Sequence, residues 1–571
     1  MNGFAATLQA MSASTLLLLA ACSGTATTVG TDSATDSQDS ATDSADPSLI
    51  PVSVSASGAI SCPAPDLRAA EPMVLQDGGA DWQAQLASVS PDTTAYGQGV
   101  VVGDFDGDGL FDLFLPNAGM DELFLNAGDG TWALAPPGHL PENTDLTEAA
   151  SAVDVDDDGD LDLLAVNRGN PNALWLNDGS GRFAVHDAGF QQEDFGSIGS
   201  TWGDVNGDGT LDLFVGAHFS RANQEGRKPP PKDSQGFGTG DPNEFYLGLG
   251  GGDFENRGDV MLPDTMRCFT FVPGLHDLDL DGDPDLYLVN DFGTFQIPNV
   301  LLRNDSFDQE PIWTDISEAS AAGQPLQGMG LGVGDVNGDG YPDLLVSSWS
   351  ELALFTSSPD GVYVDAAASR GLVLGQDNRH VAWGVELVDL DNDGDLDAPV
   401  SFGQAPGLGE NSPETNPLAQ PDGLWLQQDD GQFVQAADDW GIADPEIAMG
   451  FAVADLNDDG FPDLVKRFVN APARIYLARC DDSAWLRVRL HQPAPNVDAV
   501  GARLVLTAGG ETQVRAIAVG GTSLSSSAPP EAHFGLGSHD RVDRLEVQWP
   551  DGQRSAIRDL DARQIVDLTR E

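Results

Sequence analysis

The sequence is poor in positive charge. Lysine and arginine number 26 of 571 residues against 91 aspartates and glutamates, a formal net charge of −65. That balance excludes nucleic acid as a partner, because phosphate backbones are held by Lys and Arg. Histidine is sparse as well, eight in all and scattered. No Gly-x-x-x-x-Gly-Lys-[Ser/Thr], His-Glu-x-x-His or Gly-x-Ser-x-Gly occurs, which removes the commonest signatures of phosphate-binding, zinc-protease and serine-hydrolase sites. Long apolar runs are missing. The one near the start, Leu16-Leu-Leu-Leu-Ala-Ala21, is too short to span a bilayer and suits the apolar core of an export signal.

What the chain has instead is aspartate in register. One nine-residue pattern, Asp-x-[Asp/Asn]-x-Asp-Gly-x-x-Asp, occurs seven times. Position 1 is Asp104, Asp154, Asp204, Asp277, Asp335, Asp389 and Asp455. Position 5 is Asp108, Asp158, Asp208, Asp281, Asp339, Asp393 and Asp459, and position 9 is Asp112, Asp162, Asp212, Asp285, Asp343, Asp397 and Asp463. Position 3 is Asp106, Asp156, Asp279 or Asp391 in four loops and Asn206, Asn337 or Asn457 in three. A hard cation such as Ca²⁺ takes six to eight oxygen ligands, and alternating carboxylates in a tight loop supply them. Position 6 is always glycine, as a sharp turn round an ion requires. Position 7 varies freely (Leu110, Asp160, Thr210, Asp283, Tyr341, Asp395, Phe461), as expected where only the backbone carbonyl is a ligand. An EF-hand is excluded, since it needs Glu at position 12 and flanking helices. Here position 12 is Leu115, Ala165, Val215, Leu288, Val346, Val400 or Lys466, mostly strand-like. Up to seven Ca²⁺ are expected. Mg²⁺ suits these all-protein cages less well.

Successive loops start 50, 50, 73, 58, 54 and 66 residues apart, a period that means a propeller or solenoid. Each is preceded by a short apolar strand such as Val100-Val-Val102 and followed by a second such as Leu113-Phe-Leu115. A third recurs as Leu123-Phe-Leu125, Leu174-Trp-Leu176 and Leu424-Trp-Leu426, and a fourth after a Gly turn as at Phe183 and Phe433. Seven units of four strands match a propeller. These residues resemble the FG-GAP/VCBS repeats of integrin α-chain propellers, over roughly residues 95–480. The resemblance implies that the calcium loops join strands 1 and 2 of each blade on one face. The 2–3 loops then lie opposite, two of them long (217–243 and 401–423), where recognition is expected. Blade 7 lacks its own outer strand, and the segment around Met73–Leu86 is expected to supply it.

Residues 482–571 change character, with no acidic loops and near-neutral charge. Ala499-Val-Gly-Ala-Arg503, Glu531-Ala-His-Phe-Gly-Leu-Gly537 and Val542-Asp-Arg-Leu-Glu-Val-Gln-Trp549 resemble the ASPIC/UnbV domain, here expected to be a small β-sandwich. The order of modules resembles the cartilage acidic protein family, which implies a secreted or surface binding protein and names no catalytic residue. His533, inside this match, is read as satisfied by local hydrogen bonds.

Leu19-Ala-Ala-Cys22 looks like a lipobox, placing a lipid on Cys22 at the end of a signal peptide (1–22). Residues 1–21 carry no Lys or Arg, which departs from the usual signal, and plain secretion is the alternative. Residues 23–60, rich in Ser, Thr, Asp and Ala, read as a disordered tether. The propeller then runs over 61–481 and the C-terminal domain over 482–571. Cys62 and Cys480 flank the ring, and a bond between them would clasp it, leaving Cys268 as a thiol. The expected fold is all-β, a seven-bladed propeller followed by the sandwich. The expected function is a calcium-stabilised, surface-anchored binding or adhesion-type protein without catalytic activity. Its partner would be a protein or glycan at the cell surface, and a lipid anchor its one link to the membrane. A polysaccharide-acting hydrolase or lyase on the same scaffold is the alternative, with His218, Arg221, Lys228 and Lys232 as a basic site for an acidic sugar.

Overall fold

The inner strands are runs of small and β-branched residues, Ser197–Gly203 and Gly328–Gly334 among them, buried almost throughout. Each second strand starts at or beside the position-9 aspartate and runs on into Leu, Phe and Val, as in Asp112–Leu115 and Asp162–Asn167. Outer strands are the least buried: Phe183–His186 buries Phe183 and leaves Ala184 and Val185 exposed. The computed structural model describes residues 48–60, 73–74, 99–218, 240–258, 267–306, 311–374, 380–403, 420–468, 471–478 and 481–571, except 118, 129, 144 and 191–194.

Seven of the sheets among the described residues are built on these repeats, each antiparallel, with the strands contributed by each repeat paired in sequence order. The innermost strand of each packs against that of the next, and Ala448–Ala454 of the seventh meets Val101–Gly103 of the first, which closes a ring. The fourth strand of the seventh sheet is Met73–Val74, paired antiparallel to Arg474–Tyr476. Side chains at the end of the third strand staple blade to blade. Asn126 Nδ2 donates to Leu456 O across the ring junction at 3.1 Å, and Asn177 Nδ2 reaches Phe105 O at 2.9 Å. Asn304 and Gln427 repeat the bond to Val205 O and Val336 O.

The C-terminal region is a sandwich of two four-stranded sheets. One of its strands is not C-terminal. Val52–Ala56 pairs antiparallel with Gln564–Arg570, its Val54 opposite Leu568. The reading of residues 23–60 as a tether is corrected at Val52–Ala56, since Val52 and Val54 alternate with serines and Val52 is buried in the sandwich core; residues 23–47 lie outside the described residues.

The sandwich also sends a loop along the ring axis. Val519–Gly520 pairs with Thr201–Trp202 of blade 3 as a fifth strand. Ser523 exchanges backbone bonds with Leu331 of blade 5, and Ser527 with Val100 and Val102 of blade 1. Contacts on three sides of the ring place this loop in the central channel. Leu524 is fully buried there with Ile198, Phe271, Met329, Trp383 and Met449. Glycines on or just before the inner strands make room: a Cβ on Gly99 would meet Ser525 O at 1.6 Å, and one on Gly384 would meet Ser523 Oγ at 2.9 Å. Trp202 and Trp383 are core, their indole N–H groups bonded to Ser151 Oγ and Gly403 O.

Candidate metal centre

Each acidic loop links an inner strand to a second strand, and its geometry repeats round the ring. The position-9 aspartate is the anchor. In all seven loops its two oxygens accept backbone N–H groups, one from position 2 of the loop and one from the chain end of the third strand, at 2.6–3.1 Å. The position-5 carboxylate accepts from the amide of position 7 in all seven, at 2.8–3.3 Å. The position-1 carboxylate accepts from the position-6 glycine amide, for example Gly109 to Asp104 at 2.9 Å and Gly460 to Asp455 at 2.8 Å. Every position-6 glycine has positive φ, between 89° and 105°. L-residues are strained there, which is the physical reason for glycine.

Backbone amides alone do not satisfy these carboxylates. Oxygen atoms of Asp106, Asp156, Asp277, Asp389 and Asp391 are buried without a hydrogen-bond partner. In loops 1, 2, 4 and 6 three carboxylate oxygens lie within 4.8 Å of one another: Asp104, Asp106 and Asp108; Asp154, Asp156 and Asp162; Asp277, Asp279 and Asp281; Asp389, Asp391 and Asp397. In the other three loops asparagine stands at position 3, and its Oδ1 accepts from the position-5 amide, as Asn206 does at 3.0 Å. Burial lifts Asp112 and Asp343 to about 7 and Asp162 and Asp389 to about 8, and raises Asp212, Asp285, Asp397 and Asp463 far above the usual range. Converging, partly desolvated oxygens with orphaned lone pairs fit a bound hard cation.

The sandwich covers this face. Arg487, buried, donates to Asp455 Oδ2 at 2.9 Å and to Asp458 Oδ1 at 2.7 Å, and also meets Glu531 at 3.2 Å. Trp485 lies on Gly460, where a Cβ would meet the ring at 1.7 Å. Phe461, at position 7 of the same loop, packs on Trp485. Strand Glu531–Gly537 lies on loop 6: a Cβ on Gly535 would meet Asp389 Oδ2 at 2.1 Å. Arg503 donates to Gly340 O of loop 5 at 3.0 Å. His533 is half-buried and stacked on Trp485, with Nε2 2.6 Å from Asn392 Oδ1. Desolvation pushes its pKa down to about 3, so the ring is neutral. Its role is a structural contact between the two parts.

The repeats and the last domain are recognisable beyond their geometry. A model of the FG-GAP-like repeat matches residues 104–165, 154–215, 277–346 and 335–398, ranges that hold the first six acidic loops, and the model "ASPIC and UnbV" matches 492–571. The chain carries FG-GAP-like repeats and an ASPIC and UnbV domain. It is similar to cartilage acidic protein 1 of Homo sapiens, 22% identical over 514 residues, which cover 74% of this chain and 72% of that protein. The Xenopus tropicalis protein of the same name is 26% identical over 278 residues, 47% of this chain and 40% of that one, so the match spans less than half of its length. Among solved structures, an Agrocybe aegerita lectin described as recognising non-reducing terminal N-acetylglucosamine covers 60% of this chain and 79% of its own, at 16% identity and a TM-score of 0.37.

Other residues singled out in the sequence fall elsewhere. His218 is not part of a basic surface site. It is buried among Phe269, Phe271 and Phe292, with Nε2 3.2 Å from Asp291 Oδ2, and burial lowers its pKa. Its neighbours in sequence made it look exposed, but it directly follows the second strand of blade 3, Asp212–Ala217, and its backbone N–H donates to Gly196 O. Arg221, Lys228, Lys232, Cys22, Cys62 and Cys480 lie outside the described residues. Burial pushes the Cys268 thiol up to about 12. No helix among the described residues is long and apolar enough to cross a membrane. The sequence reading missed the stapling amides Asn126, Asn177 and Asn304. A signal was there, since Asn closes the third strand in Leu-Phe-Leu-Asn126 and Leu-Trp-Leu-Asn177.

Proposed function

We propose that this is an exported, surface-anchored binding protein without catalytic activity, whose propeller is held rigid by Ca²⁺ in the acidic loops and meets its partner on the opposite face. The observation that carries the reading is the sandwich seated on the acidic-loop face with its loop in the channel. That face is engaged within the chain, which leaves recognition to the 2–3 loops on the other side. In each loop the carboxylates or amides of positions 1, 3, 5 and 9 and the carbonyl of position 7 would hold the ion, and the ion supplies positive charge that offsets their mutual repulsion. The lipobox at Cys22 supports a membrane tether, and the partner classes favoured are surface proteins and glycans. The test is a binding screen of the mature chain against glycans and envelope proteins, with calcium and with chelator. A calcium-dependent, saturable partner that remains intact supports the proposal. Degradation of a bound polysaccharide would replace it with the enzymatic reading.

A further inference from the structure

Position 4 of the acidic loop has left-handed backbone in every blade. Gly107, Gly207 and Gly338 take φ of 72°, 73° and 70°, as glycine does without strain. In the other four loops Asp157, Leu280, Asn392 and Asp458 take φ of 62°, 64°, 60° and 55°. A side chain at such a position is disfavoured, least so for Asn and Asp, and calls for a compensating contact. The sandwich provides three. The amide of Asn496 donates to Asp157 Oδ1 at 2.9 Å, Arg487 to Asp458 Oδ1 at 2.7 Å, and His533 Nε2 lies 2.6 Å from Asn392 Oδ1. Leu280 lines the cavity between ring and sandwich together with Arg503 and Pro550. Asn392 is held from both sides, since its Nδ2 also donates to Gly460 O of loop 7 at 2.9 Å, and its own carbonyl accepts from Gly537 N at 2.8 Å.

We propose that the position-4 side chains are the docking code by which the acidic loops receive the C-terminal sandwich, so that cation binding at loops 2 and 6 and seating of the sandwich form one linked equilibrium. This rests on the calcium reading above. Position 4 sits between two ligand positions, so the wrap that gathers the carboxylates also fixes where Asp157 and Asn392 point. Loosening the wrap moves the acceptor away from Asn496 or His533. Linkage is reciprocal: whatever calcium adds to seating, seating adds to calcium affinity. Loop 7 differs, because Arg487 also grips the position-1 carboxylate of Asp455, and there the guanidinium shares the loop's charge.

The experiment is hydrogen exchange on the mature chain across a free-calcium titration, in wild type, Asn392→Gly and Gly338→Asn. Asn392→Gly changes no charge, removes no ligand and installs the residue loops 1, 3 and 5 already carry. It is expected to raise the calcium midpoint of the loop-6 amides Gly394 and Asp395 by about 5- to 10-fold, and to speed exchange in Glu531–Gly537 even at saturating calcium. Gly338→Asn, which adds a side chain in loop 5, should leave Glu531–Gly537 as in wild type. An unchanged loop-6 midpoint together with unchanged exchange in Glu531–Gly537, in a chain whose loops calcium still protects, would overturn the docking code and leave the calcium reading intact. If calcium protects none of the loops in wild type, both fall.

Discussion

Gly460→Ala and Gly109→Ala are the same change at the same loop position with almost the same backbone, φ 89° and 90°. They differ in what a methyl group meets. At Gly109 nothing lies within 4 Å, whereas at Gly460 the indole of Trp485 stands at 1.7–2.2 Å. Both variants bear the strain of a non-glycine residue at positive φ, about 1–3 kcal/mol. Gly460→Ala must in addition displace a buried tryptophan from between Phe461 and His533, and forced repacking of this kind costs about 1–3 kcal/mol more. The gap between the variants therefore measures the seating of the sandwich on loop 7, free of the strain they share. The assay is chemical denaturation in saturating calcium, followed by tryptophan fluorescence and by proteolysis, since a chain of two packed parts need not unfold in one step. Gly460→Ala should lose at least 1 kcal/mol more than Gly109→Ala and alter the native emission spectrum. Equal losses with an unchanged spectrum would refute the packing argument.

Other consequences are independent of that contact. Leu524→Ala empties part of the axial channel and should cost about 2–5 kcal/mol, with the sandwich released to protease before the blades. Asn126→Ala leaves the buried Leu456 carbonyl at the ring junction without its donor and should cost about 1–3 kcal/mol in the same denaturation assay. The pH dependence of the metal-free chain should run opposite to that of most acidic proteins. Asp112 and Asp343 titrate near 7 and Asp162 and Asp389 near 8 when folded, against about 3.9 unfolded. The folded state holds these protons more tightly, so stability falls as pH rises from about 4 to about 8. Calcium, taking the place of the protons, should flatten the profile; a metal-free chain more stable at pH 8 than at pH 5 would contradict this.

The ring was legible in the sequence because its signals are local. Aspartates at fixed spacing, glycine at position 6 and Leu-x-Leu strands each act within a few residues, and repetition removed the ambiguity of any single copy. The need for an outer strand from the N-terminal side was also readable, since the chain leaves blade 7 after three strands, and Met73–Val74 stands there. What stayed hidden is long-range. Gly520-Gly-Thr-Ser-Leu-Ser-Ser-Ser527 reads as an ordinary surface loop, and only the channel explains its single leucine. Val52–Ala56 is masked by the serine-rich segment before it, and its partner strand lies more than 500 residues away. The left-handed side chains at position 4 look like tolerated variation until the sandwich is placed against them.

The central claim is that cations in the acidic loops hold the blades. Thermal unfolding of residues 23–571, metal-free, with millimolar Ca²⁺ and with millimolar Mg²⁺, tests it most directly. Each independent site filled 100-fold above its Kd adds about 2.7 kcal/mol, so the account predicts a large rise in the midpoint with calcium and a much smaller one with magnesium. A metal-free chain that is fully folded and melts at the same temperature in all three conditions would contradict it.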